Sequence, residues 1–279
     1  MGKPRIGHIN FLNCLPLTYS FQHDGFDKGL EITPAVPAVL NNDISNHRLD
    51  VSPVSSIIYA RNSEELVILP DISIMADGPV QSIILVSKKP IEQLADDKVI
   101  LTAKSATSHC LLKIVLQKGY DARPNYYIRH VDATAPIPAD ASATLLIGDD
   151  ALYLYHHQQP GLYYYDIGLE WKKLTGHSMV YAVWVANRRF AEENPDLLQL
   201  VYDRIKKGFK NGYEKKAAAI HSILAEKPFT FDQLDEYLEV IKWKLGPQEL
   251  KSLQLFYHLA HEMNLIDHEP VLSLAKVYR

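Results

Sequence analysis

Short apolar runs alternate with stretches of helical spacing through the first two-thirds of the chain. Residues 4–9, 30–34, 49–54, 66–69, 72–74 and 82–87 are β-rich and bounded by turn formers, which predicts strands. Residues 38–48 and 55–60 carry helical spacing between them, and residues 10–16 form a polar loop ahead of another helix. A second unit of the same kind follows. Lys98–Thr102, residues 125–131 and Ala143–Ile147 read as strands, with a loop at 103–108 and a helix at 109–118 that Gly119 stops. Residues 179–186 form the last strong strand. Strands that alternate with helices predict parallel or mixed sheets covered on both faces.

The final third is helical. Asn194-Pro195 is a cap followed by proline at the first helical position, Thr230 with Gln233 resembles a capping box, and Gly246-Pro247 separates two further helices. The basic residues between 204 and 216 read as a solvated helix face. The fold class expected is α/β, two lobes of mixed sheet flanked by helices with a helical C-terminal segment. Residues 1–86 with 184–279 form the expected first lobe and 87–183 the second, with the strands at 82–87 and 179–186 as the crossings. Ligands in such sheets bind beyond the strands' carboxyl ends.

Length and composition narrow the function classes. The 279 residues are 47% apolar and 22% charged, which are globular values. The formal charge of -4 argues against nucleic acid as the main ligand, since a duplex binder carries a basic surplus. The opening MGKPRIGHINFLNCLPL lacks the apolar core of a secretory signal, and no apolar run approaches the ~20 residues of a membrane helix. Two cysteines, Cys14 and Cys110, fit a reducing compartment rather than a disulfide framework. The expectation is a cytoplasmic protein, mature from its first residues, with neither nucleic acid nor membrane as partner. Oligomeric state is not legible.

Several chemistries lack their motifs. There is no G-x-S-x-G, no G-x-G-x-x-G and no phosphate-binding G-x4-G-K-[ST]. His258 and His261 are at i, i+3 with Glu262 after the second, which fails the metalloprotease pattern, and the adjacent His156 and His157 point apart. No metal site and no cofactor is expected.

Polar clusters do recur where predicted strands end. They are Asn10 and Asn13; Ser52, Ser55 and Ser56; Gly78 through Ser82; Ser105, Thr107 and Ser108; and Gly148-Asp149-Asp150. Hydroxyls at a helix start accompany unsatisfied backbone N–H groups and a dipole that favours an anion. Plainer roles stand beside these. Thr107 and Ser108 fit caps of their own helix, Asn13 a turn former, Ser82 an ordinary strand residue, and Asp149 a turn or cap residue.

Five segments resemble one family. FLNCLPL at residues 11–17 resembles the Tyr/Phe-Leu-Asn-x-x-Pro-Leu opening of the menaquinone-biosynthesis chorismate dehydratases of the futalosine route. DGPVQSIILVSKKP at 77–90 is similar to their Gly-x-Val-x-Ser strand, and SATSHCLLKIVL at 105–116 to their Thr-Ser helix start. LLIGDDAL at 145–152 and YDIGLEWKKLTGHSMVYAVW at 165–184 complete an ordered likeness over roughly residues 5–190. The resemblance implies a type II periplasmic-binding-protein-like fold and loss of water from chorismate to give 3-[(1-carboxyvinyl)oxy]benzoate. It implies that Asn13 and Ser82 carry the chemistry and that Thr107 and Ser108 hold a carboxylate. Ser56, Gly78, Gly148 and Asp149 complete the expected substrate-binding set. His109 and Cys110 receive no role, and Gln81 stands where many relatives are expected to carry a basic residue. Two other readings share the fold: a non-catalytic small-anion-binding protein, and the sister 1,4-dihydroxy-6-naphthoate synthases. The second opens on a motif like Ser-Pro-Cys-Pro-Asn-Asp, which is absent here.

Overall fold

The computed structural model describes residues 2–278. Ten strands run in chain order: β1 Arg5–Ile9, β2 Glu31–Ala35, β3 Val51–Ser55, β4 Leu66–Ala76, β5 Ile83–Ser87, β6 Lys98–Thr102, β7 Asn125–Arg129, β8 Ala143–Ile147, β9 Tyr163–Asp166 and β10 Met179–Asn187. They form two five-stranded sheets, β2-β1-β3-β10-β4 and β7-β6-β8-β5-β9. The two sheets repeat one plan. Three strands run parallel, and the fourth, the strand entered from the other sheet, runs antiparallel to both neighbours. Central strands such as β3, β5, β8 and β10 are buried along their whole length. Their near-continuous apolar runs are what a sheet covered on both faces requires.

Pairing decides where the chain crosses. Among the described strands β5 pairs with β8 and β9, and β10 with β3 and β4. The crossings are therefore residues 77–82 and 167–178, and β5 and β10 each lie wholly within one sheet. The expected boundaries after residues 86 and 183 fall inside β5 and β10. An apolar run shows that a strand is buried, not which partners bury it. Three further elements differ from the expected pattern. Residues 66–69 and 72–74 belong to the single strand β4, and β9 and the helix Ile167–Thr175 were not among the expected elements.

One hydrophobic core runs through both sheets and the C-terminal helices. A smaller cluster of Ile84, Val86, Leu146, Ala151 and Leu154 lies under the helix Gly148–His156. The C-terminal helices brace the first sheet. Pro195–Glu214 packs on Leu15–His23 so closely that a Cβ at Gly212 would lie 1.8 Å from the Pro16 carbonyl oxygen. Any side chain there would part the two helices and shift the loop before Leu15. Phe231–Val240 starts at the expected capping box, in which Thr230 and Gln233 each satisfy the other's backbone N–H. Among the described residues no helix is long and apolar enough to cross a membrane.

Candidate functional site

The two sheets face each other across a narrow cavity of about 60 Å³, room for a few waters. Its walls come from strand ends and their following residues on both sides. Asn13 comes from the turn after β1, Ser55 from the end of β3, Tyr181 from β10, and Ser82, Ser105 and Gly148 from the second side. Phe11, Ile74, Ile147 and Ile241 supply apolar wall. Among the described lining residues, Tyr181 is the only one with an ordinarily titratable side chain.

Asn13 lies in a single 3-10 turn, Leu12–Cys14, between β1 and the helix Leu15–His23. The Trp243 indole N–H donates to its backbone carbonyl at 2.9 Å and fixes the turn. Its side-chain oxygen is buried without a hydrogen-bond partner among the described residues. A buried acceptor left unmade is costly, so its place on a cavity wall is chemically informative.

Ser82 ends the first crossing on a bent turn. Gln81 has φ +61°, and the Ser82 N–H donates back to the Val80 carbonyl at 2.7 Å. Asp166 clamps this turn, accepting the Val80 and Gln81 N–H groups at 2.9 and 2.7 Å while its other oxygen caps Leu169. Burial raises the Asp166 carboxyl above its ordinary range, and these N–H bonds oppose that rise. The Ser82 carbonyl accepts from the Gly148 N–H at 2.8 Å, and its hydroxyl accepts from the Tyr237 hydroxyl at 2.9 Å.

Tyr181 owes its place to a bulge. In its pairing with β4 the register shifts between Val180 and Ala182, so Tyr181 is the extra residue, and both Tyr181 and Ala182 reach the cavity wall. Bulges commonly re-aim a side chain beside an active site. The Tyr181 hydroxyl is buried with no partner among the described residues, and burial lifts it far above its ordinary pKa. It is a neutral phenol.

Gly148 has φ +64°, and a Cβ there would meet the Phe11 ring at 3.1 to 3.2 Å. Only glycine permits both that backbone and the closure of Phe11 over β8's end. Two helices also start at the cavity, one from each sheet. They are Ser56–Arg61 and Thr107–Ile114, and the Thr107 hydroxyl accepts the Ile57 N–H at 3.0 Å across the gap.

The expected residues thus divide. Asn13, Ser82 and Gly148 share the cavity, whereas Ser56, Gly78, Thr107, Ser108 and Asp149 do not line it. Ser56 donates to the Val180 carbonyl at 2.7 Å and accepts the Tyr257 hydroxyl through its own carbonyl, so its neighbour Ser55 forms the wall. Gly78, with φ +105°, is a turn residue of the crossing. Thr107 is engaged with the opposite helix, and Ser105 takes its place on the wall, while the Ser108 hydroxyl is buried without a partner among the described residues. Asp149 accepts the Leu12 N–H at 3.1 Å and pairs with Lys227 at 2.7 Å. It is a staple between the second sheet and the loop carrying Asn13. A one-residue offset decides which serine faces inward, and sequence clusters do not resolve that offset. Tyr181, Tyr237 and Asp166 were not foreseen. Asp166 had a usable signal as an N-cap before Ile167. The bulge that turns Tyr181 inward had none.

Two mixed sheets joined by two crossings, with a buried cavity where strand ends meet, define the periplasmic-binding-protein-like class of α/β proteins. Solved structures agree. A protein of Archaeoglobus fulgidus superimposes with a TM-score of 0.78 at 17% identity, covering 94% of this chain and 98% of that one. The periplasmic aliphatic sulphonate binding protein of Escherichia coli does so at 0.68 and 14%, covering 99% and 93%. Residues 4–262 match the family model described as menaquinone biosynthesis, and the chain belongs to that family. The chorismate dehydratase of Thermus thermophilus is 32% identical over 215 residues, 72% of this chain and 73% of that protein. The chorismate dehydratase of Campylobacter jejuni is 25% identical over 265 residues, 93% and 98% of the two chains.

Proposed function

We propose that this chain is a chorismate dehydratase, a hydro-lyase that removes water from chorismate to give 3-[(1-carboxyvinyl)oxy]benzoate. The observation that carries the reading is the cavity itself. Neutral polar groups from separate segments, Asn13, Ser82 and Tyr181, converge in a wall with no lysine, histidine or carboxylate among its described residues. Such a wall suits a reaction whose driving force lies in the substrate.

Chorismate loses the hydrogen on its ether-bearing ring carbon and the hydroxyl on the neighbouring carbon, and the product is aromatic. The ring carboxylate activates that hydrogen through the conjugated double bond. In our reading the enolpyruvyl carboxylate, attached to the same carbon, accepts the proton. The C–H electron pair enters the ring, the neighbouring C–O bond breaks, and the departing hydroxide leaves as water with the proton that the enolpyruvyl carboxylate took. A base tethered to its substrate needs orientation more than activation, and orientation alone is worth several powers of ten. Asn13 orients that side chain, and Ser82 donates to oxygen near the reacting carbons. Exclusion of water strengthens both bonds. The free, buried Cys14 and Cys110 fit a reducing compartment, and we place the activity in the cytoplasm.

The test is incubation of the purified protein with chorismate, without added metal or cofactor. The benzoate ether is expected by mass and by its aromatic absorbance. Chorismate that binds but stays intact would make the chain a small-anion-binding protein instead.

A further inference from the structure

We propose that Tyr237 is the positioning residue that turns the Ser82 hydroxyl into a donor aimed at the substrate, an assignment that rests on the cavity being the site of dehydration. Each hydroxyl has one hydrogen. Tyr237 lies on Phe231–Val240, is buried, and donates to Ser82 Oγ at 2.9 Å. With that hydrogen committed, Ser82 must send its own elsewhere. Inside the protein its available acceptor is the Val80 carbonyl at 3.3 Å, which already accepts the Ser82 N–H at 2.7 Å. The cavity is the other direction, since Ser82 is part of its wall. The reverse order, Ser82 donating to Tyr237, would leave the phenol hydrogen buried with no acceptor among the described residues.

The same helix grips the neighbouring residue. Glu236 accepts the Gln81 side-chain N–H at 2.8 Å. Adjacent residues 236 and 237 thus hold adjacent residues 81 and 82, at the turn where Gln81 has φ +61°. Burial keeps the Tyr237 phenol protonated far above neutral pH, against the opposing effect of its bond to Ser82. It is therefore a constant donor rather than a proton carrier.

A double-mutant cycle tests the assignment. Tyr237→Phe keeps the ring and is expected to lower kcat about tenfold with KM changed less than about twofold. In the Ser82→Ala background the same substitution is expected to change kcat by less than about twofold, because its effect runs through the absent hydroxyl. An undiminished kcat in the single variant overturns the proposal, as does an equal loss in both backgrounds. A neutron structure of the unliganded wild-type protein gives a readout that needs neither turnover nor a folded variant. Deuterium between the two oxygens is expected on Tyr237, with that of Ser82 directed into the cavity, and the opposite assignment overturns the proposal. Absence of chorismate turnover by the wild type would strike the functional reading and leave this second readout standing.

Discussion

Ser82→Ala is expected to lower kcat for chorismate dehydration by about 10²- to 10³-fold, the range found when one preorganised donor is removed from a developing charge. The hydroxyl costs nothing to reorient at the moment of reaction, because Tyr237 already fixes its oxygen and the Asp166 clamp fixes its backbone. KM should move less than about threefold, since a bond that strengthens in the transition state contributes little to ground-state binding. The backbone bonds to Val80 and Gly148 persist, so the fold should survive, with a lowered melting temperature because the buried Tyr237 hydroxyl loses its acceptor. Steady-state kinetics with a melting curve measure both. A variant within about fivefold of wild type would remove Ser82 from the chemistry.

Asn13→Ala carries the second large effect, a fall in kcat/KM of about 10- to 10³-fold. The turn at Leu12–Cys14 is held by its backbone, through the Trp243 indole and through Asp149 on the Leu12 N–H, so the loss is of the amide rather than of the loop. Asn13→Asp should be worse than alanine. It sets a carboxylate against a substrate with two of its own, and no cation lines the described wall to offset it. The increment should appear in KM. Equal kinetics for the aspartate and alanine variants would mean that residue 13 does not approach a substrate carboxylate.

The fold was largely legible because its strands are short, apolar and punctuated. β3, β5, β6, β8 and β10 lie within a residue or two of where the pattern places them, and the Thr230–Gln233 cap is as the sequence indicates. Crossings were not legible, because backbone pairing rather than side-chain polarity assigns β5 and β10 to their sheets. At the site, Asn13 and Ser82 were legible through a resemblance, and each sits in a tight turn at a strand end. Ser56 and Thr107 lie one and two positions from the wall, which Ser55 and Ser105 form, and they tie helices and strands together. Asp149 is polar and lies beside the cavity, but Leu12 and Lys227 occupy its oxygens. Tyr181 and Tyr237 were invisible for opposite reasons. A bulge sets the first, and the second comes from a helix some 155 residues away from the serine it holds.

In the proposed function the cleft between the sheets, and not another concavity, takes the substrate. A crystal structure of the protein with bound 3-[(1-carboxyvinyl)oxy]benzoate tests it most directly. Ligand oxygens are expected at about 2.6–3.2 Å from both Ser82 Oγ and the Asn13 amide, with the ring against Phe11 and Tyr181 and the cavity walls parted to admit it. Ligand seated instead in the basic groove beside Lys242, Lys244 and Lys251, with the cleft unchanged, would contradict it.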